Sequence, residues 1–263
     1  MDFENICKGV CILARETGSY IREQASLIKS NDVELKAYNN FVTHVDKESE
    51  KRLIEGLSQL LPGAAFIAEE NTVEQSLGIY TWIVDPLDGT TNFIHGLPIY
   101  CISIALMYNS VIVTGVVYEI AHDECFYAWE NSPAYLNGKI IKVTDAEKLS
   151  DALLVTGFPY FEFDRLDKYI ELFVYVLKNT HGLRRLGSAA ADLAYVACGR
   201  FELFFEYGLS PWDVAAGSLI VKQAGGKVSD FSGTNDFIFG KEIIASNNAV
   251  FNEFLNITRE IFG

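Results

Sequence analysis

The sequence predicts a mixed α/β fold (α+β) in which two packed α/β layers share one cleft. The first half of the chain reads as helices followed by a run of strands, whereas the second half alternates between strands and helices. The 263 residues are 49% hydrophobic and 21% charged, which is ordinary for a globular protein with a large core. We therefore expect a single domain over residues 1–263, built from two lobes of roughly 1–135 and 136–263.

Hydrophobic periodicity predicts the elements of the first half in order. Apolar residues recur at helical spacing near the N-terminus, which predicts an amphipathic helix over residues 3 to about 28. A second helix is predicted over about 46–61, because Pro62-Gly63 ends the pattern. Apolar and alternating runs then predict five strands, at residues 65–68, 81–84, 99–106, 111–118 and 124–129.

The second half shows the alternation of strands and helices directly. Short apolar runs predict strands at residues 153–155, 202–206 and 242–245. Longer periodic stretches predict helices at residues 166–177, 188–198, 211–224 and 248–262. Residues 133–150 between the two halves read as turn-like, so any boundary between lobes is expected there.

Charge and cysteine content narrow the range of partners and locations. Acidic residues outnumber basic ones by 35 to 21, for a net charge of −14, which disfavours direct nucleic-acid binding and adhesion to anionic membranes. The acidic N-terminal segment does not resemble a secretion signal. The apolar stretch Ile99–Tyr118 breaks at Asn109-Ser110, as two strands would. Five scattered cysteines read as small buried residues of a reducing cytoplasm, so we expect a cytoplasmic protein.

The main functional signal lies in the segment Trp82-Ile83-Val84-Asp85-Pro86-Leu87-Asp88-Gly89-Thr90-Thr91-Asn92-Phe93. An apolar strand is predicted to end at Asp85, where Pro86 forces the chain to turn. Asp88 follows one turn later, so both carboxylates can face one point, and the Leu87 carbonyl can face it too. Such a density of hard oxygen ligands suits Mg²⁺.

Gly89-Thr90-Thr91 follows these acids and presents backbone N–H groups where a helical turn is expected to begin. That geometry binds anions such as phosphate. Each of these residues is also an ordinary turn or helix-cap residue, so the signal depends on the whole run. An EF-hand does not fit, because Leu87 occupies the third loop position. The D-x-x-D-G-T spacing also differs from the D-x-D-G-T of phosphatases with an aspartyl nucleophile.

Four other acidic positions could join the same site. Glu69-Glu70 follows a short strand, where ligands of open α/β sheets gather, although such a pair is usually a solvated loop. Asp46 begins a helix and could simply be its N-cap. Asp213 falls in the first helical turn after Pro211, where the helix dipole favours its charge. Glu206 ends an apolar strand and is expected to be partly buried or to face a cleft.

Taken together, these segments resemble the inositol monophosphatase family, within the larger fold group that includes fructose-1,6-bisphosphatases. The matching segments, in the family's order, are Val42-Thr43-x-x-Asp46, Ala68-Glu69-Glu70, Asp85–Phe93, Gly187–Ala190, Glu206, and Trp212–Gly217 followed by Gly225-Gly226. The resemblance spans nearly the full chain. It implies the layered α-β-α-β-α sandwich of the sugar phosphatase and inositol monophosphatase type.

The resemblance also implies a set of metal ligands. Glu69, Asp85 and the Leu87 carbonyl would bind a first Mg²⁺. Asp85, Asp88 and Asp213 would bind a second, and a third, weaker ion would use Glu69. Two or three such ions would reverse the local sign of a site whose carboxylates otherwise repel phosphate.

Catalytic and substrate-binding roles follow from the same resemblance. Glu69 and Thr90 would orient the attacking water, with Asp46 behind Thr90. The residues that would contact the substrate are Asp88, Gly89, Thr90, Ala189, Glu206 and Asp213. One departure concerns Thr156–Tyr160, where the family's animal members carry a substrate-side serine; here the stretch looks more like bacterial members.

The implied activity is Mg²⁺-dependent hydrolysis of a small sugar or cyclitol phosphate monoester, above all inositol monophosphate. An activated water would attack phosphorus in line while metal charge stabilises the leaving alkoxide. Lithium inhibition and a homodimer are implied as well. Alternatives that stay open are a fructose-1,6-bisphosphatase, a histidinol-phosphatase or an adenosine 3′,5′-bisphosphate phosphatase of the same fold. A non-catalytic regulatory binding protein is a further alternative.

Overall fold

The computed structural model describes residues 1–25, 27, 33–37, 40–159 and 163–263, without the side chains of 33–37 and 40–42. The helices in this part of the chain are α1 (Phe3–Ala25), α2 (His44–Leu60), α3 (Thr90–Ile94), α4 (Leu166–Asn179), α5 (Ala189–Ala197), α6 (Pro211–Gln223) and α7 (Asn248–Phe262). The strands are β1 (Val33–Ala37), β2 (Asn40–Thr43), β3 (Ala65–Ala68), β4 (Tyr80–Asp88), β5 (Cys101–Tyr108), β6 (Val111–Glu119), β7 (Glu124–Trp129), β8 (Ala134–Leu136), β9 (Lys139–Ile141), β10 (Leu153–Thr156), β11 (Gly182–Arg184), β12 (Leu203–Tyr207), β13 (Lys227–Ser229) and β14 (Glu242–Ser246).

These elements stack in five alternating layers. α1 and α2 pack on one face of a seven-stranded sheet with the order β3-β4-β5-β6-β7-β8-β9. α5 and α6 lie between that sheet and a five-stranded sheet with the order β11-β10-β12-β14-β13. α4 and α7 cover the far face of the second sheet. The mixed α/β fold and the α-β-α-β-α layering expected from the sequence are therefore confirmed.

The central helices fit between two sheets because their surfaces are apolar and small. Every residue of α5 is buried, as its run of alanines and aliphatic residues permits. Gly115 of β6 lets α6 lie directly on the first sheet, since a Cβ there would come within 2.6 Å of the Ala216 carbonyl oxygen. Gly217 of α6 allows the same close approach to α5, because its Cβ would lie 2.5 Å from the Cβ of Leu193. This packing fixes the starts of α5 and α6 relative to β4.

One predicted turn proved wrong, because β4 continues past Asp85 as far as Asp88. Asp85 pairs with Ser103 and Asp88 pairs with Cys101, so β4 carries one residue more than β5 between these pairs. Such a bulge accommodates Pro86, which has no N–H to donate to the sheet. The bulge changes the direction of the end of β4, while the strand stays paired with β5.

Other differences from the predicted elements are local. The first helix ends at Ala25 rather than near residue 28, a position outside the described residues. The stretch read as turn-like contains the hairpin β8–β9, whose turn Asn137-Gly138 has φ values of 48° and 83°. An Asn-Gly pair at positive φ is the signature of a two-residue hairpin, so this signal was available in the sequence. The short strands β11 and β13 were also missed.

The segment that was most apolar in sequence forms β5 and β6, joined at Asn109-Ser110 as predicted. Among the helices of the described residues, none is long and apolar enough to cross a membrane. All five cysteines are free thiols; Cys7, Cys101 and Cys125 are buried, and Cys11 and Cys198 are partly exposed.

We expect urea to unfold the chain in a single transition, as the prediction of a single domain requires. The middle layer joins both sheets in one apolar cluster, which includes Val117 of β6 and Phe204 of β12. Tryptophan fluorescence reports on the first sheet through Trp82 and Trp129 and on the middle layer through Trp212, and circular dichroism reports on all helices. Coincident midpoints are expected; two separated midpoints would mean that the two sheets unfold independently.

Candidate metal centre and active site

An acidic cluster forms where the end of β4 meets the first turn of α6. β4 contributes Asp85 and Asp88, and α6 contributes Asp213, two residues after Pro211 begins the helix. One carboxylate oxygen from each of these acids lies within 4.8 Å of the other two. Asp85 is buried, whereas Asp88 and Asp213 are half-buried. The structure thus brings these three predicted ligands together.

Backbone N–H groups close in sequence orient the carboxylates of Asp85 and Asp213. The N–H of Leu87, in the bulge of β4, donates to Asp85 Oδ1 at 2.9 Å. The N–H of Ser210, just before α6, donates to Asp213 Oδ2 at 2.6 Å. Carboxylates held in this way keep their orientation without a ligand, as metal-binding carboxylates typically do.

Asp88 is oriented by the start of α5. Ser188 Oγ and the N–H of Ala190 both donate to Asp88 Oδ2, at 2.8 and 2.7 Å. Ser188 Oγ also accepts a bond of 3.3 Å from the N–H of Ala191 and so caps the helix. The sequence analysis had placed Ser188 at a helix start but had not paired it with Asp88.

Desolvation and mutual repulsion raise the pKa values of the cluster. Desolvation and then the charge of Glu69, with smaller contributions from the other two acids, raise the pKa of Asp85 well above its ordinary value. Desolvation raises the pKa of Asp88 to about 6, although hydrogen bonds from α5 act in the opposite direction. Desolvation and the charge of Asp88 raise the pKa of Asp213 well above the usual range. In each case the effect of burial outweighs the groups that favour the charged carboxylate.

Glu69 lies just beyond β3, beside this cluster, and is partly exposed. Its charge raises the pKa of both Asp85 and Asp213, which places it within electrostatic reach of each. The loop around it is held by Glu50 of α2, whose carboxylate accepts 2.7 Å bonds from the N–H groups of Glu70 and Thr72. Glu50 is a fully buried acid on a helix, and it was not predicted from the sequence.

Thr90 and Asp46 form a second polar group beside the metal ligands. Thr90 Oγ1 lies 3.0 Å from Asp46 Oδ1 and 3.0 Å from the Leu87 carbonyl oxygen. Asp46 is not the N-cap of α2, which was the simpler interpretation; the cap is Thr43. The N–H and hydroxyl of Thr43 donate to Asp46 Oδ2 at 2.9 and 2.6 Å. Burial raises the pKa of Asp46, and the bonds from Thr43 partly offset that effect.

The helical turn expected after the acids is present as α3. Gly89 precedes it with φ of 95°, a left-handed conformation that favours glycine. A Cβ at this position would lie 3.0 Å from the Ile99 carbonyl oxygen, so the turn fits closely against the following loop. Asn92 of α3 fixes that contact, since its Nδ2 donates to the carbonyls of Ile99 and Leu186 at 2.7 and 2.8 Å.

A cavity that opens to solvent adjoins the cluster. Asp88 and Asp213 line it at one end, and Ala189 and Glu206 line it as well, as the predicted substrate contacts require. Glu206 lies in β12 with 7% of its surface exposed. Desolvation and the charge of Asp213 raise the pKa of Glu206 well above its ordinary value.

Two charged residues of the cavity wall, Arg185 and Asp192, were not predicted from the sequence. Asp192 is the acid in the otherwise apolar run of α5, and a charge in a helix without a polar face is a signal that could have been read. Arg185 has no such local signal, because its proximity to the cavity depends on the path of the chain before α5. Tyr160, in the stretch that departs from the family pattern, lies outside the described residues.

The donor set fits a hard divalent cation such as Mg²⁺. Carboxylate oxygens are among its preferred ligands, and Asp85, Asp88 and Asp213 supply three of them close together, with the charge of Glu69 within electrostatic reach. Because the acids raise one another's pKa, a cation among them would replace repulsion by attraction.

The five layers and the acidic cluster at the end of β4 define a chain of the layered phosphatase fold class. The sequence profile described as "Inositol monophosphatase family" matches residues 2–261. The chain therefore belongs to the inositol monophosphatase family.

Individual relatives agree with this assignment. Nus factor SuhB of Pseudomonas aeruginosa is 40% identical over 247 residues, which cover 92% of this chain and 91% of that protein. Fructose-1,6-bisphosphatase/inositol-1-monophosphatase of Thermotoga maritima is 39% identical over 232 residues, 88% of each chain. The crystal structure of the extragenic suppressor protein suhB from Bartonella henselae superposes with a TM-score of 0.91 at 36% identity, covering 96% of this chain and 98% of that one.

Proposed function

We propose that this protein is a Mg²⁺-dependent phosphatase that hydrolyses a small sugar or cyclitol phosphate monoester, above all inositol monophosphate. The observation that carries the proposal is the convergence of Asp85, Asp88 and Asp213 within 4.8 Å beside the cavity that contains Glu206. Membership of the inositol monophosphatase family supports it.

The ligands proposed for two ions follow the arrangement of the cluster. Glu69, Asp85 and the Leu87 carbonyl hold one Mg²⁺, and Asp85, Asp88 and Asp213 hold another. A third, weaker ion uses Glu69. When bound, the ions supply the positive charge that draws in a phosphate ester and the acidity that makes water a nucleophile.

Protein groups orient the attacking water and hold the phosphate. Thr90 lies 3.0 Å from Asp46 Oδ1, so its hydroxyl can donate to Asp46 while Oγ1 accepts a hydrogen bond from the water. Glu69 orients the same water. The backbone N–H groups of Gly89 and Thr90 bind the phosphate oxygens, and Gly89 allows the left-handed turn that presents them.

The cavity beyond the phosphate favours a hydroxyl-rich alcohol. Asp88 and Asp213 line its metal end, and Ala189 and Glu206 continue the wall. Carboxylates and backbone groups of this kind bind sugar or cyclitol hydroxyls by accepting or donating hydrogen bonds. The Thermotoga maritima relative, named as both a fructose-1,6-bisphosphatase and an inositol-1-monophosphatase, keeps the bisphosphatase alternative open.

A second candidate function is a regulatory binding role, favoured by the relative named Nus factor SuhB. The complete acid set argues for catalysis, because without cations the repulsion that raises the pKa of Asp85 is a standing cost in stability. The two functions are compatible, and a catalytically inactive variant would separate them.

Phosphate release from a panel of esters tests the proposed function. The panel comprises inositol 1-phosphate, glycerol 2-phosphate, fructose 1,6-bisphosphate, histidinol phosphate, adenosine 3′,5′-bisphosphate and p-nitrophenyl phosphate, each with and without Mg²⁺ and Li⁺. We expect Mg²⁺-dependent turnover, fastest with the cyclitol or sugar monophosphates and inhibited by Li⁺. No Mg²⁺-dependent turnover of any ester would contradict the proposal and favour the binding role.

We also propose a homodimer in the cytoplasm. α4 carries an exposed apolar stripe of Ile170, Val174 and Leu177, which are 50%, 39% and 52% exposed and follow helical spacing. A second copy of the chain would cover such a stripe. Light scattering is expected to give twice the 29.3 kDa chain mass, and Val174→Asp is expected to give monomers.

Replacing Ser188 by Ala should weaken activity by roughly 10- to 100-fold. The change removes the 2.8 Å bond that orients Asp88, and outer-shell partners of metal ligands typically have effects of this size. It also removes the side-chain cap of α5, which costs about 1 kcal/mol of stability. Asn247→Ala, which removes the cap of α7, controls for cap loss. Equal activity losses in both variants would contradict a specific role for Ser188.

A further inference from the structure

Asp192 is a buried acid in the cavity to which the proposed function assigns no role. It lies in the first turn of α5, has 1% of its surface exposed, and lines the same cavity as Glu206. Its Oδ1 is buried and accepts no hydrogen bond from any residue that the structure describes. A buried carboxylate without a donor is costly, so its presence needs an explanation.

The cavity wall around Asp192 carries a second carboxylate, Glu206, and the cation Arg185. Asp192 and Glu206 are both acidic, and the charge of Arg185 lowers the pKa of each without overcoming the effect of burial. Gly157 also lines the cavity, and a Cβ there would lie 2.1 Å from Glu206 Oε1. Glycine at position 157 therefore leaves room for the Glu206 carboxylate in the cavity wall.

The start of α5 holds Asp192 in a fixed relation to the proposed metal site. Ser188 and Ala190 donate to Asp88 Oδ2 at 2.8 and 2.7 Å, and Asp192 follows two residues later in the same helix. The proposed metal ligand Asp88 and the carboxylate of Asp192 are thus both positioned by the first turn of α5. Binding groups held by one rigid element keep a precise relative geometry.

The geometry points to Asp192 as a specificity-determining residue whose carboxylate, alongside Glu206, accepts hydrogen bonds from hydroxyl groups of the substrate's alcohol portion. The assignment rests on the proposed function and narrows its substrate class to a phosphate monoester whose alcohol carries several free hydroxyls. Hydroxyl groups are donors, and two neighbouring carboxylates can accept hydrogen bonds from them. An alkyl or aryl group would leave the carboxylates unpaired.

The test is Asp192→Asn, which keeps the shape of the side chain but removes its charge. The value of kcat/KM for inositol 1-phosphate is expected to fall by roughly tenfold or more, the effect of weakening a hydrogen bond to a charged group. The kcat/KM for p-nitrophenyl phosphate, which has no hydroxyl group, and the inhibition constant of inorganic phosphate are expected to change by less than about twofold. The thermal midpoint should not fall, because the variant removes a buried carboxylate whose Oδ1 has no donor among the residues that the structure describes.

Glu119→Gln is the matched control. Glu119 is also fully buried with an oxygen, Oε1, that accepts no hydrogen bond in the described part of the chain, but it does not line the cavity. This variant should leave the ratio of the two kcat/KM values unchanged.

The outcomes separate the assignment from the proposed function. The assignment is overturned if Asp192→Asn leaves the selectivity for inositol 1-phosphate unchanged. It is also overturned if kcat/KM falls equally for both substrates and the thermal midpoint falls, because that result indicates a structural role. If p-nitrophenyl phosphate is not hydrolysed, the inhibition constant of inorganic phosphate serves as the reference. Wild-type protein that hydrolyses no ester contradicts the proposed function, and the assignment then fails with it.

Discussion

Asp88→Asn is expected to lower kcat/KM by at least about 100-fold while the protein stays folded. Asp88 is a proposed ligand of Mg²⁺ and lies within 4.8 Å of two other acids. Even outer-shell partners of metal ligands cost 10- to 100-fold when they are removed, so the loss of a ligand should reach at least the upper part of that range. Phosphate release from inositol 1-phosphate at saturating Mg²⁺ measures the effect.

The fold should survive this change for a reason visible in the structure. Asp88 Oδ2 accepts bonds from Ser188 and Ala190, and the amide oxygen of Asn can accept both. Removing one charge also relieves repulsion, because Asp88 raises the pKa of Asp85 and Asp213. The variant should therefore unfold no earlier than the wild type in the absence of metal.

Asp167→Asn is the matched control, since Asp167 is exposed on α4 in the outer layer. It should keep wild-type activity. Asp213→Asn should behave like Asp88→Asn, because both residues belong to the same cluster. Near-wild-type turnover by Asp88→Asn would contradict the proposed metal role and would leave the binding function as the better explanation.

The sequence was sufficient for features that depend on local pattern. α7 and β7 have the predicted bounds, since strong periodicity and clear stop signals surround them. The convergence of Asp85 with Asp88 could also be anticipated, because the two residues lie three apart on one strand end. Even there, the strand continues through a bulge instead of turning, and only the pairing with β5 reveals it.

The features that the sequence did not reveal depend on contacts between distant segments. The hydroxyl of Ser188 is bonded to Asp88, and the carboxylate of Glu50 holds the loop after β3; neither pairing has a local signature. Local pattern alone left Asp46 as a possible helix cap; only the family resemblance implied its place behind Thr90, whose Oγ1 lies 3.0 Å from Asp46 Oδ1. Asp192 is an acid in the apolar run of α5. Because α5 is buried between two sheets, Asp192 lines a cavity instead of facing solvent, which periodicity alone does not show.

Mg²⁺ is expected to raise the thermal midpoint of the wild-type protein by roughly 5–10 °C when its free concentration is about a hundred times its dissociation constant. Binding at that ratio stabilises the folded state by about 2.7 kcal/mol, and 1 kcal/mol corresponds to about 2–4 °C for a chain of this size. The stabilisation arises because the cation replaces repulsion among Asp85, Asp88 and Asp213 by attraction. Differential scanning fluorimetry with MgCl₂ measures it, with KCl at equal ionic strength to exclude screening.

Asp85→Asn should abolish most of this shift, because it should raise the thermal midpoint of the metal-free protein and lower that of the Mg²⁺-bound protein. The amide oxygen can still accept the 2.9 Å bond from Leu87, so the local structure is kept. The metal-free variant should be more stable than the metal-free wild type, because a buried carboxylate that is repelled by Glu69 has been neutralised. The Mg²⁺-bound state should be less stable, because a proposed ligand shared by two ions has been lost. Asp167→Asn should keep the full shift, and an equal shift in Asp85→Asn would place the cation elsewhere. Since this measurement needs no substrate, it tests the metal centre even if the physiological ester differs from every member of the panel.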